Sequence, residues 1–423
     1  MLKVSVRSIG IISILLYSIM QYLSDILPLG QFLVIVPLAV LSLLLIMRNG
    51  LRFKKRVAPY LVYIYLFAIF CASSTLWAVN PRLSVSKVNA VVFITIGMTI
   101  VYLYSYKDVS VDTLLSVIMY GGYITVFVIS LFYGWSGILG VLSDRGRLSN
   151  DFINSNTLGM CTAYALVINI YYILYGRRRV TDILVIPAVL IIAVSGSRKA
   201  LLIMLGGVFA LFVIKNLENK NTIKRLLKGV LIVFLVFFGI FVMSRLSIFS
   251  QTMDRIYQVF EFLEGNATRS TNSAWIRFAY IKLGLQLFKE NPILGIGIGN
   301  ANIYTMLYYG NSHYLHNNYV EILACGGIVG FLFYYWIYFY LIYFFIKNFK
   351  YRDQEFNICF VIFILKLIMD YGAVSYYSKP SYFYLLLFII EVREFKEKNH
   401  VSNMGVWTGF NQENVNGLKE NAY

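Results

Sequence analysis

Apolar residues occur along this chain in runs of about twenty, separated by short polar segments, from one end to the other. An α-helix needs about 17–25 such residues to cross the roughly 30 Å hydrocarbon core of a bilayer. The pattern therefore predicts an all-α, polytopic membrane protein with about twelve membrane-spanning helices. The predicted spans are 7–24, 27–47, 57–77, 88–106, 112–133, 155–175, 181–197, 200–215, 229–246, 317–346, 355–374 and 377–392.

Composition and charge agree with this prediction. The 423 residues are 59% hydrophobic and 13% charged, whereas soluble proteins carry roughly a quarter charged residues. The net charge of +17 does not indicate nucleic-acid binding, because most Lys and Arg residues lie in the short loops between spans. With a cytoplasmic N-terminus these basic loops all face the cytoplasm, as the positive-inside rule requires. We therefore expect both termini in the cytoplasm, contact with membrane lipids and no nucleic-acid partner.

Only one connection between the predicted spans is long. The chain divides into nine spans in 1–246, a large extracytoplasmic loop in 247–316, three spans in 317–392 and a cytoplasmic tail in 393–423. Loops of this length in compact proteins are usually folded or functional. We expect short helices within the large loop, and a functional role for it.

Arginine is unexpectedly frequent in the predicted outer segments, which topology rules leave poor in cations. Its planar guanidinium matches phosphate oxygens in a bidentate way that the lysine ammonium does not. An anionic, phosphate-bearing ligand at the outer face is one explanation, and lipid headgroups are the other. Arg145 and Arg147 belong to this set, and their polar segment is also suited to glycan binding.

Arg198 and Arg277 are the two arginines whose local pattern favours a phosphate ligand. Arg198 lies in the turn 195–200 close to a helix N-terminus, a position that attracts anions; a solvated turn charge is the alternative. Arg277 lies on a predicted helix, 273–291, that ends before Pro292. At 100° per residue it shares the apolar face with Tyr280 and Gly284. An arginine on that face needs an anionic partner, either a substrate or an internal ion pair.

Two of the three histidines stand at the beginning of the tenth predicted span, next to a small polar group. These residues are His313, His316, Asn317 and Glu321. An imidazole can act as a general base near neutral pH, although a purely structural interfacial histidine is the alternative. The four cysteines lie in apolar runs without CxxC spacing, so we expect no metal site and no cofactor.

Two further patterns concern the spans and the glycines. Lys366 and Asp370 lie one helical turn apart inside the eleventh predicted span, which predicts an internal ion pair. The alternating glycines of 295–300 permit tight turns, and their free N–H groups could cradle an anion.

Four ordered motifs resemble those of the O-antigen ligase and polymerase superfamily of bacterial membrane glycosyltransferases. They are WAVNPR at 77–82, SGSRKA at 195–200, an arginine-bearing helix that ends in NPxxGxGxGN at 291–300, and H-N-x9-G-x-x-G from 316 to 330. The resemblance implies about twelve helices and a metal-independent, inverting glycosyl transfer. The donor would be an oligosaccharide on undecaprenyl pyrophosphate, presented at the outer face of the plasma (inner) membrane.

The resemblance also implies roles for individual residues. Arg198 and Arg277 would hold the pyrophosphate, and His316 would be the catalytic base or position the acceptor. The His316 imidazole would be held, or sugar would be bound, by Asn317, Glu321 and His313.

A polymerase of O-antigen, capsule or exopolysaccharide is favoured by the abundance of Lys, Tyr, Phe and Asn. Such an enzyme would work with a flippase and a chain-length regulator. The alternatives are an O-antigen ligase that transfers the glycan to lipid A core, and a flippase for lipid-linked sugars. A transporter is less favoured, because transporters commonly contain internal repeats and this sequence shows no convincing repeat.

Overall fold

The computed structural model describes residues 5–24, 30–49, 58–143, 155–218, 221–224, 226–231, 239, 245, 250–264 and 273–417. Every regular element in these residues is helical, which confirms the all-α class. The helices are α1 (Val6–Leu23), α2 (Gly30–Leu33), α3 (Ile35–Asn49), α4 (Pro59–Ser73), α5 (Pro81–Asp108), α6 (Val111–Ser143), α7 (Ser155–Leu174), α8 (Val185–Ser195), α9 (Arg198–Leu217), α10 (Ser250–Leu263), α11 (Ser273–Glu290), α12 (Ala301–Tyr309), α13 (Asn318–Asn348), α14 (Gln354–Gly372) and α15 (Lys379–Gly417).

Seven helical segments in the described residues are long and apolar enough to cross a membrane. They are Val6–Leu23, Pro59–Leu76, Pro81–Asp108, Val111–Phe132, Ser155–Leu174, Arg198–Leu217 and Asn318–Tyr351. Two shorter apolar stretches, Ile35–Arg48 and Val180–Ser195, coincide with predicted spans. Most of the ninth predicted span, 229–246, lies outside the described residues. The count of twelve spans therefore stays a prediction.

Polar residues just before apolar runs determine where several helices begin. The side chain of Asn80 accepts hydrogen bonds from the amides of Arg82 and Leu83, and Pro81 occupies the first turn of α5. Ser197 caps α9, and Asn317 caps α13 in the same way. Such caps satisfy amide groups that have no partner within the helix. They fix the helix ends to which the candidate site residues are attached.

α13 is broken at Gly327, whose φ of 62° and ψ of −165° are not helical. The break leaves backbone N–H and C=O groups of α13 without partners in the helix, and residues 291–300 supply hydrogen-bond partners for them. The carbonyls of Ala324 and Cys325 accept hydrogen bonds from the amides of Ile296 and Gly297, both at 3.0 Å. The amides of Ile328 and Val329 donate to the carbonyls of Pro292 and Ile293 at 2.8 and 3.2 Å. Irregular backbone at membrane depth is tolerated where protein satisfies it in this way.

The glycine-rich segment 291–300 therefore fills the break in α13, and we call it the plug. It does not provide the expected anion cradle. The amides of Ile296 and Gly297 are occupied by α13, and the amide of Ile298 donates to the Ser74 hydroxyl at 3.2 Å. The motif 77–82 meets the same segment, because the Trp77 indole donates to the Leu294 carbonyl at 3.1 Å. The segments 77–82 and 291–300, which are the first and third motifs of the sequence, thus contact each other.

The predicted outer ends of the helices meet at one end of the bundle. Lys379, which begins α15, donates to Ser24 at the end of α1. The amide of Ser375, between α14 and α15, donates to Asn318 at the start of α13. At the opposite end, ion pairs join predicted cytoplasmic segments, for example Arg177 with Asp112. This arrangement gathers the polar residues of interest around one surface.

Candidate functional site

His316 lies in the loop before α13 and has an unusual backbone conformation. Its φ of 58° makes it the only non-glycine residue with positive φ in the described part of the chain. Such conformations cost about 1–3 kcal/mol and persist where the surroundings impose them. Here Asn317 caps α13 immediately after the histidine, and the buried Glu321 carboxylate accepts the Leu315 amide at 2.8 Å immediately before it. These two contacts hold the imidazole in one place.

The imidazole of His316 lies among aromatic rings. The Tyr280 ring is parallel to it within 3°, with centroids 6.0 Å apart, and the Tyr314 ring is closer, at 4.3 Å. Burial lowers the pKa of His316 to about 3, and the positive charges of Arg277 and Lys199, together with His313, act in the same direction. Desolvation and like charges both disfavour the imidazolium. The ring is therefore neutral at physiological pH and can accept a proton.

Three cations from two helices lie in the neighbourhood of this ring, and two of them, Arg277 and Lys199, act on it directly. Arg198 begins α9, and its Nη2 donates to the Ser273 hydroxyl at 3.2 Å, which ties the start of α9 to the start of α11. Arg277 lies one turn further along α11, and its charge and that of Arg198 both act on Lys199. The charges of Arg277 and Lys199 in turn act on His316. The structure thus links Arg277 to His316 directly and Arg198 to the same group through Lys199, while their roles stay a prediction.

Lys199 was not among the predicted site residues. It follows Arg198 in the chain, but two neighbours on a helix point about 100° apart, so the sequence did not place both in one site. Only the packing of α11 beside α9 shows that they share it.

The predicted inward face of α11 is confirmed in part, because the buried side is centred nearer Leu283 and Leu287 and leaves Arg277 half-buried at its edge. Tyr280 and Gly284 are buried, whereas Lys282 and Gln286 on the opposite side are exposed. A Cβ on Gly284 would come within 2.5 Å of both Val320 and Leu315, which shows how closely α11 packs on the start of α13. The apolar face of α11 therefore packs on protein and carries Arg277 toward the His316 loop.

A cavity of about 400 Å³ adjoins this group of residues. Lys199 and Tyr314 form part of its wall, and the rest comes from α1, α7, α14, α15 and the loop between the last two. The wall includes the predicted Lys366–Asp370 ion pair, which is confirmed. Ser375 extends the pair, because its hydroxyl donates to Asp370 at 2.7 Å. The cavity continues from the cations into a polar interior.

The remaining predicted residues have defined places or lie outside the described residues. His313 is exposed, and its backbone amide and carbonyl bond to the Thr305 hydroxyl at 3.0 and 2.7 Å. Asn317 and Glu321 are buried and bond to backbone amides, so both support the loop that carries His316. Arg145 and Arg147 lie outside the described residues. Within the described chain, no three His, Cys, Asp or Glu side chains group as metal ligands would.

Comparison with protein families supplies a match for the centre of the chain. Residues 183–335 match the family model described as O-antigen ligase, and this segment contains α8 to α12 and the first part of α13, with Arg198, Arg277 and His316. Comparison with curated proteins gave no match. The family match confirms the resemblance for the segment 183–335.

Proposed function

We propose that this chain is a polysaccharide polymerase. It transfers a glycan from an undecaprenyl-pyrophosphate-linked donor to a lipid-linked acceptor at the outer face of the bacterial plasma membrane. The observation that carries the proposal is a neutral imidazole on which Arg277 and Lys199 act, with Arg198 next to Lys199 and a cavity that Lys199 lines. The family match adds glycan chemistry to this geometry.

The cations account for the departure of the leaving group. When the bond between the anomeric carbon and the phosphate oxygen breaks, the pyrophosphate takes the electron pair and gains negative charge. Preorganised positive groups stabilise developing charge most effectively where water is excluded. Arg198 and Arg277 present forked guanidinium donors to the phosphate oxygens, and Lys199 adds a point charge. In this proposal the transfer uses no metal ion.

His316 accounts for activation of the acceptor. The acceptor hydroxyl attacks the anomeric carbon from the face opposite the pyrophosphate, so a single displacement inverts the configuration. The hydroxyl proton passes to the imidazole, which is neutral before the reaction. A base with a very low pKa is inefficient near neutral pH. Burial is the larger cause of the low pKa of His316 and remains when the donor binds, but a bound pyrophosphate offsets the charges of Arg277 and Lys199 and so raises the basicity of the imidazole.

An O-antigen ligase is the second candidate, and the description of the matched family favours it. Both enzymes would use the same donor site and differ in the acceptor. Deletion of the gene distinguishes them. Single repeat units still attached to the acceptor would indicate a polymerase, whereas full-length glycan accumulating on the lipid carrier would indicate a ligase.

The direct test uses the purified protein with a defined lipid-pyrophosphate oligosaccharide, and resolves the products by size. The wild type should lengthen the glycan, and Arg198→Ala, Arg277→Ala and His316→Ala should each abolish extension. Lys282→Ala is the matched control, because Lys282 lies exposed on the same helix as Arg277. Full activity in any two of the three site variants would refute the assignment.

A further inference from the structure

The cavity beside the cations has the dimensions of a ligand site. Its volume of about 400 Å³ falls within the roughly 300–1,000 Å³ of typical small-molecule pockets. Tyr314 belongs to its wall and is also in ring contact with His316, at 4.3 Å between centroids. A molecule in the cavity would therefore contact Tyr314, whose ring lies next to the imidazole that we propose as the base.

Charge is unevenly distributed along the wall. Lys199 lies at the end near the arginines, where a phosphate would be held. Lys366 is paired with Asp370, and Lys379 donates to the Ser24 hydroxyl at 2.8 Å. Lys379 thus has a neutral hydroxyl as its partner, whereas the part of the wall around Lys366 and Asp370 carries no net charge. An uncharged ligand with many hydroxyl groups fits this part better than a second phosphate.

Asp370 offers a specific hydrogen-bond acceptor there. It is 1% exposed, and its Oδ1 accepts from Lys366 and from Ser375. Its Oδ2 is buried and has no hydrogen-bond partner in the part of the chain that the structure describes. A buried acceptor without a partner costs about 1–3 kcal/mol. Asp370 lines the cavity, so a ligand hydroxyl that reaches this oxygen after a small shift of the side chain would remove that cost.

Tyrosine rings supply the rest of the recognition surface. Tyr164 and Tyr384 form a contact pair in the wall, with centroids 4.8 Å apart, and Tyr22 and Tyr377 lie beside other parts of the cavity. Tyrosine combines an apolar ring face with a polar tip. A pyranose has the complementary form, because its C–H faces are apolar and its rim carries hydroxyl groups.

We infer that this cavity is a subsite for the sugar rings of a substrate glycan, with Asp370 as a hydrogen-bond acceptor for a ring hydroxyl. Its part in transfer rests on the proposed function. The same chemistry is present in the glycan of the donor and in the glycan of the acceptor, so the test must separate the two.

The first arm of the test fills the cavity in the full-length protein. Ala373 lines it and has an extended backbone that any residue adopts, so Ala373→Trp fills space without backbone strain. Tyr371→Trp is the matched control, because Tyr371 is exposed two residues away. Asp370→Asn removes the charge at nearly constant shape. Steady-state transfer is measured at varied donor and varied acceptor concentrations.

Ala373→Trp and Asp370→Asn should each raise the KM for one of the two glycan substrates by about tenfold or more, while Tyr371→Trp stays within about twofold of the wild type. A higher acceptor KM assigns the cavity to the acceptor, and a higher donor KM assigns it to the donor. Unchanged KM values for both substrates in Ala373→Trp would overturn the inference and leave the proposed function standing.

The second arm measures binding without transfer. The probe is an oligosaccharide released by partial hydrolysis of the host's own surface polysaccharide and fitted with a photoreactive diazirine. Crosslinking should map to peptides that line the cavity, including 373–384, and Ala373→Trp should abolish it. Crosslinking there by a wild-type protein that shows no transfer would refute the proposed function but support the subsite. Crosslinking elsewhere would refute the subsite.

Discussion

Replacement of Gly327 by alanine should separate the plug 291–300 from the broken helix α13. The φ of 62° and ψ of −165° at Gly327 belong to a region that is essentially restricted to glycine, at a cost of about 1–3 kcal/mol for other residues. An added Cβ would also lie 2.2 Å from the Ile293 carbonyl oxygen and 2.6 Å from the Leu294 nitrogen. Both atoms are backbone, so the plug itself must move.

The expected loss of stability follows from these contacts. Four hydrogen bonds join residues 292–297 to residues 324–329, and each contributes about 0.5–1.5 kcal/mol net. Loss of two of them together with the backbone strain gives about 2–6 kcal/mol. The His316 loop leads directly into α13, so glycosyl transfer should fall as well.

Gly326→Ala is the matched control for this prediction. Its Cβ would meet the Phe70 side chain at 3.2 Å, and no positive φ is required. The thermal midpoint of the detergent-solubilised protein is measured for both variants. Gly327→Ala should lower the midpoint by several degrees more than Gly326→Ala. Equal midpoints would show that the plug does not stabilise the break in α13.

The remaining predictions concern the site. The pKa of His316 is about 3 in the free enzyme, so kcat/KM should stay constant as the pH is lowered from 7 to 5. A bound pyrophosphate favours the imidazolium, so on acidification kcat should begin to fall at a higher pH than kcat/KM does. Coincident apparent pKa values for kcat and kcat/KM would contradict this coupling. Arg277→Lys keeps the charge but loses the fork, and should reduce kcat/KM roughly tenfold to a hundredfold; wild-type kinetics would indicate that charge alone suffices. Glu321→Ala leaves the Leu315 amide without its acceptor, at a cost of about 1–3 kcal/mol. Glu321→Gln keeps an acceptor oxygen and should retain more transfer activity. Identical transfer rates for the two variants would exclude a role of Glu321 in holding the His316 loop.

Periodicity and local chemistry predicted much of this architecture. The orientation of α11 followed from 3.6-residue spacing alone, because a helix that packs on protein must bury its apolar side. The ion pair of Lys366 and Asp370 followed from a spacing of four residues inside an apolar run. The end of α11 at Glu290 agrees with the restriction that Pro292 places on the residue before it.

Features that depend on contacts between distant segments were not accessible in this way. A glycine-rich segment such as 295–300 could form an anion-binding loop or the plug, and its composition is the same in both cases. Its hydrogen bonds to the helix broken at Gly327 show that it forms the plug. Lys199 joins the site because α9 and α11 begin side by side. The cavity depends on residues from five helices, so no single segment indicates it.

The central claim is that the cations Arg198, Lys199 and Arg277 hold a pyrophosphate beside His316 and thereby drive glycosyl transfer. The most direct measurement compares binding and transfer of one lipid-pyrophosphate oligosaccharide in the wild type, Arg277→Ala and His316→Ala. The account predicts that Arg277→Ala loses both donor binding and transfer, while His316→Ala still binds the donor but does not extend the glycan. Undiminished transfer by His316→Ala, or undiminished donor binding by Arg277→Ala, would contradict it.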